Sequence, residues 1–77
     1  MAGDNEVLNV GVVGYGYWGP NLVRNFHESM DCSVGVVCDL DEGLLEKVQR
    51  RYPTIATTTS LDEVLGNPDI DAVAIVG

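Results

Sequence analysis

The sequence predicts an α/β fold, β-α-β-α-β-α-β, built as half of a doubly wound parallel sheet. Three observations carry that prediction. Short apolar runs alternate with segments of helical period along all 77 residues. Each connection is long enough for a helix, as parallel strands joined by right-handed crossovers require. A glycine-rich turn joins the first apolar run to the first helical segment. The expected strand order is 3-2-1-4, the first half of a doubly wound sheet plus one strand of the second half.

Each element has a local cause. Leu8 to Val13 is a near-continuous apolar run interrupted by Asn9 and Gly11, the pattern of a strand covered on both faces. Beyond the glycine turn, Leu22, Val23, Phe26 and Met30 recur at helical spacing, and Pro20 suits the first turn, where a missing N–H costs nothing. Ser33 to Cys38 reads as the second strand. Asp41 is placed to cap a second helix with an inward stripe of Leu44, Leu45, Val48 and Tyr52, Glu46 and Arg50 on its wet face, and Pro53 as its stop. Ile55 to Thr58 is a short third strand. Ser60-Leu-Asp-Glu63 is a capping box, predicted to open a short helix with Leu61, Val64 and Leu65 inward, closed by Gly66-Asn67-Pro68. Ala72 to Val76 is a fourth, fully apolar strand.

Composition narrows the function classes. Apolar residues make up 45% and charged residues 21%, a globular balance. Twelve carboxylates against four Lys/Arg give a net charge of −8, which disfavours nucleic acid and anionic membrane surfaces as partners. No apolar run reaches the ~18 residues of a membrane span, and the first residues lack a basic, then apolar, leader pattern. A soluble, cytoplasmic protein is expected. Cys32 and Cys38 sit at the two ends of one predicted strand, about 20 Å apart at ~3.3 Å per residue, too far for a disulfide. They are expected to be reduced thiols packed as small hydrophobes.

Gly14-Tyr15-Gly16-Tyr17-Trp18-Gly19 is G-x-G-x-x-G between a predicted strand and a predicted helix. That context points to dinucleotide binding. Gly14 permits the tight turn, Gly16 lets the backbone approach a pyrophosphate, and Gly19 lets the helix pack closely. The N–H groups near Tyr17 and Trp18 open the helix and face the phosphates, aided by its dipole. Asp39 ends the second strand 20 residues after Gly19, where a carboxylate meets the adenosine ribose. A 2′-phosphate there would be repelled by about 1 to 4 kcal/mol per unit charge at ~4 Å. Leu40, next in line, offers no positive charge to offset that, so NAD is expected over NADP. Val76 and Gly77, at the end of the fourth strand, are expected close to the ligand. The plainer alternative is a strand-to-helix turn with a surface acid.

Other residues are weighed the same way. His27 is read as a helix-surface residue, and Asp39-Leu-Asp41 as ribose ligand plus helix cap rather than a metal pair. Arg50 and Arg51 are read as members of solvated pairs. Two roles stay open for Tyr17 and Trp18, stacking on the cofactor or packing over the loop, and with Tyr15 they are large enough to cover a further domain. Thr57 to Thr59 either approach the cofactor or are plain β-branched loop residues. No nucleophile–base, paired-carboxylate or metal-ligand arrangement can be assembled from these residue types, so no catalytic or metal residue is assigned.

The run Val10-Gly-Val-Val-Gly-Tyr-Gly-Tyr-Trp-Gly-Pro-Asn-Leu-Val-Arg-Asn-Phe26 resembles the start of the glucose–fructose oxidoreductase / inositol dehydrogenase / MocA (Gfo/Idh/MocA) family. Val37-Cys-Asp-Leu-Asp41 and Ile70-Asp-Ala-Val-Ala-Ile-Val76 fit the same register. The resemblance runs from about Leu8 to Gly77. It implies a Rossmann cofactor half, NAD-dependent oxidation of a sugar or nucleotide sugar, and a larger second domain that binds substrate. Family members are several-fold longer, and their Glu-Lys-Pro motif has no counterpart here, where the one lysine is Lys47 on the second helix. The chain, residues 1–77, is thus expected to be a truncated dinucleotide-binding domain without the substrate domain and without catalysis of its own. A fourth strand with nothing beside it predicts a homodimer, through that edge or an uncovered sheet face. Two alternatives stand beside cofactor binding: a self-associating fragment that no longer binds NAD, and a stand-alone nucleotide-sensing regulatory domain.

Overall fold

An apolar strand with helices on both faces needs neighbours on both edges, and β1 (Leu8–Val13) has them. In the computed structural model, which describes residues 7–76, it is followed by α1 (Gly19–Glu28), β2 (Cys32–Cys38), α2 (Glu42–Arg51), β3 (Ala56–Thr58), α3 (Leu61–Leu65) and β4 (Ala72–Ile75). The sheet is all parallel in the order β3-β2-β1-β4. Alternation, order and helix placement agree with the sequence prediction.

The two faces are unequal. On one, Val10, Val12, Val34 and Val37 pack against Val23 of α1 and against Leu45, Val48 and Tyr52 at α2, with Tyr15 and Ile55 closing the cluster. The other holds only Val36, Cys38 and Val64, flanked by Val13, Ile70 and Val73. Strict alternation would put Val34 and Val36 on one face. They are on opposite faces because the β1–β2 register shifts between Val10 and Gly11: Val10 pairs with Val34 but Gly11 pairs with Val36, so Gly35 is an extra residue in β2. The thin face is also close-set. A Cβ on Gly11 would lie 2.8 Å from Val64 Cγ1.

Helix ends follow their caps. Asp41 Oδ1 accepts N–H bonds from Gly43 (2.9 Å) and Leu44 (3.4 Å) at the start of α2. Pro20 lies in the first turn of α1. The capping box of α3 is only half formed. Ser60 Oγ accepts from Glu63 N at 3.3 Å, but the Glu63 carboxylate turns instead to the Thr58 hydroxyl. Met30 does not extend the α1 stripe: the helix stops at Glu28 and Met30 is 92% exposed. Nor does α3 bury three residues. A single helical turn can face the sheet with one, and Val64 is 1% exposed against 43% for Leu61 and 62% for Leu65. β4 ends at Ile75, so Val76 lies just past it, and Gly77 lies outside the described residues.

This division of labour on α3 is measurable. Val64→Ala should cost about 2 kcal/mol in urea unfolding, while Leu65→Ala should stay within about 0.5 kcal/mol of the wild type.

Candidate cofactor site

The turn after β1 is wedged between two other strand ends. Gly14 has φ +98°, a left-handed conformation, and a Cβ there would sit 2.5 Å from the Val76 carbonyl oxygen. Its N–H donates to Cys38 O at 2.7 Å, and Val76 N donates to Val13 O at 2.8 Å. Gly19 is needed for a different reason: a Cβ would lie 2.8 Å from Gly14 O, so only glycine lets α1 begin so near the strand. Gly16 is unlike both. A Cβ built on it meets nothing within 4 Å. The fold leaves open space there, which a closely approaching ligand could use.

Asp39 lies on the same rim as this turn. Its Oδ2 accepts the Tyr15 N–H at 2.7 Å, and its Oδ1 accepts the Asp41 N–H at 2.8 Å. An ionised carboxylate offers about four lone-pair positions, so about two remain for a ligand. The Asp39 N–H is itself held by Thr58 O at 3.1 Å. Asp39 and Asp41 thus divide their work as an anchored acid and a helix cap.

The start of α1 is bare by comparison with the other two helices. Trp18 is its N-cap and supplies no side-chain bond, and the first turn holds no acid. By contrast, Asp41 and Ser60 cap α2 and α3, whose first turns carry Glu42 and Asp62 with Glu63. The unpaired N–H groups of a first helical turn, with the positive dipole end, suit an anion. Tyr17 and Trp18 stand exposed beside it, their rings edge to face at 4.9 Å. Tyr15 departs from the expectation that it covers a neighbouring domain. Its ring is buried in the core, and that burial, then Tyr52, pushes its hydroxyl pKa up. Only its backbone faces the site.

Two clefts flank the turn. One of about 500 Å³ is lined by Val13, Gly14, Cys38, Asp39, Leu40, Thr59 and Leu61, with Leu40 87% exposed at its mouth. The other, about 680 Å³, lies between Trp18 with Asn21, Leu22, Arg24 and Asn25 of α1 on one side and Ile75 and Val76 on the other. The residues singled out in the sequence therefore gather around one turn but on two sides of it. Of the three threonines only Thr59 lines the cleft with Asp39. Cys38 and Leu61 join it without having been singled out; their places at the end of β2 and just after the α3 cap were the available signal. Burial pushes the Cys38 thiol pKa up, with the Asp39 and Glu63 carboxylates adding to the effect.

Other candidates fall away from the site. His27 is exposed and tilts against the Tyr52 ring at 4.7 Å, and the Arg51 guanidinium lies 5.7 Å over the same ring. Among the described residues no cluster of three His, Cys, Asp or Glu could hold a metal, and no helix is long and apolar enough to cross a membrane.

The family model described as an oxidoreductase family with an NAD-binding Rossmann fold matches residues 8–77. The chain belongs to the Gfo/Idh/MocA family. The structure of GenD2 from gentamicin A biosynthesis, in complex with NAD, is 28% identical with a TM-score of 0.84, over 94% of this chain and 20% of that one. Myo-inositol dehydrogenase from Lactobacillus casei, in complex with NAD(H) and myo-inositol, is 29% identical with a TM-score of 0.84, over 92% of this chain and 22% of that one. This Gfo/Idh/MocA chain spans about a fifth of the length of these structures. No curated protein gives a significant match.

The environment of Cys38 has its own readout. With its thiolate disfavoured and only 4% of its surface exposed, Cys38 should resist iodoacetamide at pH 8 in the folded chain. It should react at the rate of an ordinary thiol in urea, as mass spectrometry of the labelled peptide would show.

Proposed function

We propose that these residues bind NAD and supply no catalysis by themselves. The pyrophosphate rests on the Gly14–Gly19 turn against the Tyr17 and Trp18 amides, and Asp39 takes the adenosine ribose. One observation carries the reading: the Asp39 carboxylate is tied to the glycine turn by the Tyr15 N–H, with about two acceptor positions to spare for two ribose hydroxyls. The open space at Gly16 and the uncapped, acid-free start of α1 support the diphosphate position. Leu40 beside the acid supports NAD over NADP, since nothing there offsets the repulsion of a 2′-phosphate. Lys47 stands exposed on α2, away from the turn, which supports a binding rather than a catalytic role for this segment. The two free cysteines suit a reducing, cytoplasmic setting. The oxidation of a sugar or cyclitol, by analogy with myo-inositol dehydrogenase, is a proposal for a whole protein of which this chain would be the cofactor half.

Gly16→Ala and Asp39→Ala test this reading through Trp18 emission and NMR titration with NAD. Gly16→Ala fills open space and should leave the unfolding midpoint in place while weakening NAD more than tenfold. Asp39→Ala should weaken NAD similarly and narrow its advantage over NADP. Unchanged NAD affinity in both variants would remove the proposal.

The same reading includes self-association of the chain at β4. That strand is hydrogen-bonded to β1 on one side, and Ile75 at its end is 75% exposed. A second copy pairing there extends the sheet across a two-fold axis. Sedimentation at high micromolar concentration should give a dimer; a lone monomer refutes it.

A further inference from the structure

The cofactor carboxylate is held at its side chain by the turn and by α2, but its backbone is held by β3, and β3 is in turn held by α3. Thr58 is the joint. Its carbonyl accepts the Asp39 N–H at 3.1 Å, and its hydroxyl accepts the Ser60 N–H at 3.0 Å while donating to the Glu63 carboxylate. Ser60 Oγ closes the loop by accepting the Glu63 N–H at 3.3 Å. Thr58 is also the last residue of β3, paired in register with Cys38, the residue before the acid. β3 is a three-residue strand paired along its length with β2 alone, so the side-chain lock adds a second hold on the strand end that the Asp39 backbone follows.

We propose that Thr58, locked by Glu63, is a positioning residue for Asp39 and thereby sets the preference for NAD over NADP. The inference rests on the cofactor reading above. Neither residue lines the cleft with Asp39; the effect passes through the Asp39 amide to a carboxylate whose two free acceptor positions must meet two hydroxyls at once. A ligand that does not engage both positions, such as NADP, gains little from that aim and loses little without it. Glu63 is drawn from its usual partner in a capping box, the backbone N–H of the cap residue, to make this bond. That leaves the helix start with one reciprocal contact fewer and gives the strand end one more.

The test measures NAD and NADP affinity of the full chain in Thr58→Val, Thr58→Ser, Glu63→Ala and Asp39→Ala, with unfolding midpoints recorded alongside. Thr58→Val and Glu63→Ala should each weaken NAD about fivefold, the worth of one net hydrogen bond, with NADP within twofold of the wild type. Thr58→Ser, which restores the hydroxyl, should return the ratio of the two affinities to within twofold. Equal loss for both dinucleotides, or a ratio that does not move in Thr58→Val while Asp39→Ala collapses it, overturns the positioning role and leaves the cofactor reading intact. A ratio unmoved in Asp39→Ala overturns both.

Discussion

The structure depends on a backbone junction at Gly14, where the end of β1 must bend within contact distance of two neighbouring strand ends. Its N–H is taken by Cys38 O on β2, and its missing Cβ is what admits the Val76 carbonyl on the β4 side. A left-handed residue with no side chain is the one solution that satisfies both neighbours. From that bend the chain enters α1, and from the strand it touches comes Asp39. Placing the helix start and the acid on one rim is a consequence of closing the sheet, before any ligand is considered.

In a chain of net charge −8, attraction for an anion has to be local. The carboxylates show how that is arranged. Asp41 and Glu42 stand at the start of α2 and Asp62 and Glu63 in the first turn of α3, where they complement the helix dipole, and no acid lies in the first turn of α1. The one acid at the turn, Asp39, has its charge tied down by two backbone N–H groups. The acid-free start of α1 leaves its oriented amides as a local positive end, with Arg24 lining the cleft beside it.

The two sheet faces carry unequal shares of the core. The α1/α2 face carries ten buried residues in one cluster, a continuous core for a small domain. The α3 face carries three, on a single-turn helix whose other apolar residues look outward. Yet this thinner face borders the cleft with Asp39, through Cys38, Thr59 and Leu61. The hydrogen-bond loop of Thr58, Ser60 and Glu63 lies beside this thinner face.

The order of elements, the strand order and the residues of the turn were legible in the sequence, because apolar period, caps and glycine spacing are local properties. Leu8 to Val13 reads as a doubly covered strand and Asp41 as a cap from their neighbours alone. Met30, Leu61 and Leu65 were misread for the same reason: helical spacing marks an apolar stripe, but whether a helix is long enough to turn that stripe inward is decided by the sheet beneath it. Three features needed the tertiary structure. The extra residue at Gly35 splits Val34 from Val36 through pairing with a strand over 20 residues away. The Tyr15 ring turns into the core while its N–H reaches Asp39, a bond across 24 residues. And Glu63 leaves its capping partner for Thr58, a choice between two nearby donors, the Ser60 N–H and the Thr58 hydroxyl, that only the position of β3 resolves. Sequence determined which residues had the chemistry to hold a dinucleotide; long-range pairing decided which of their atoms were free to do so.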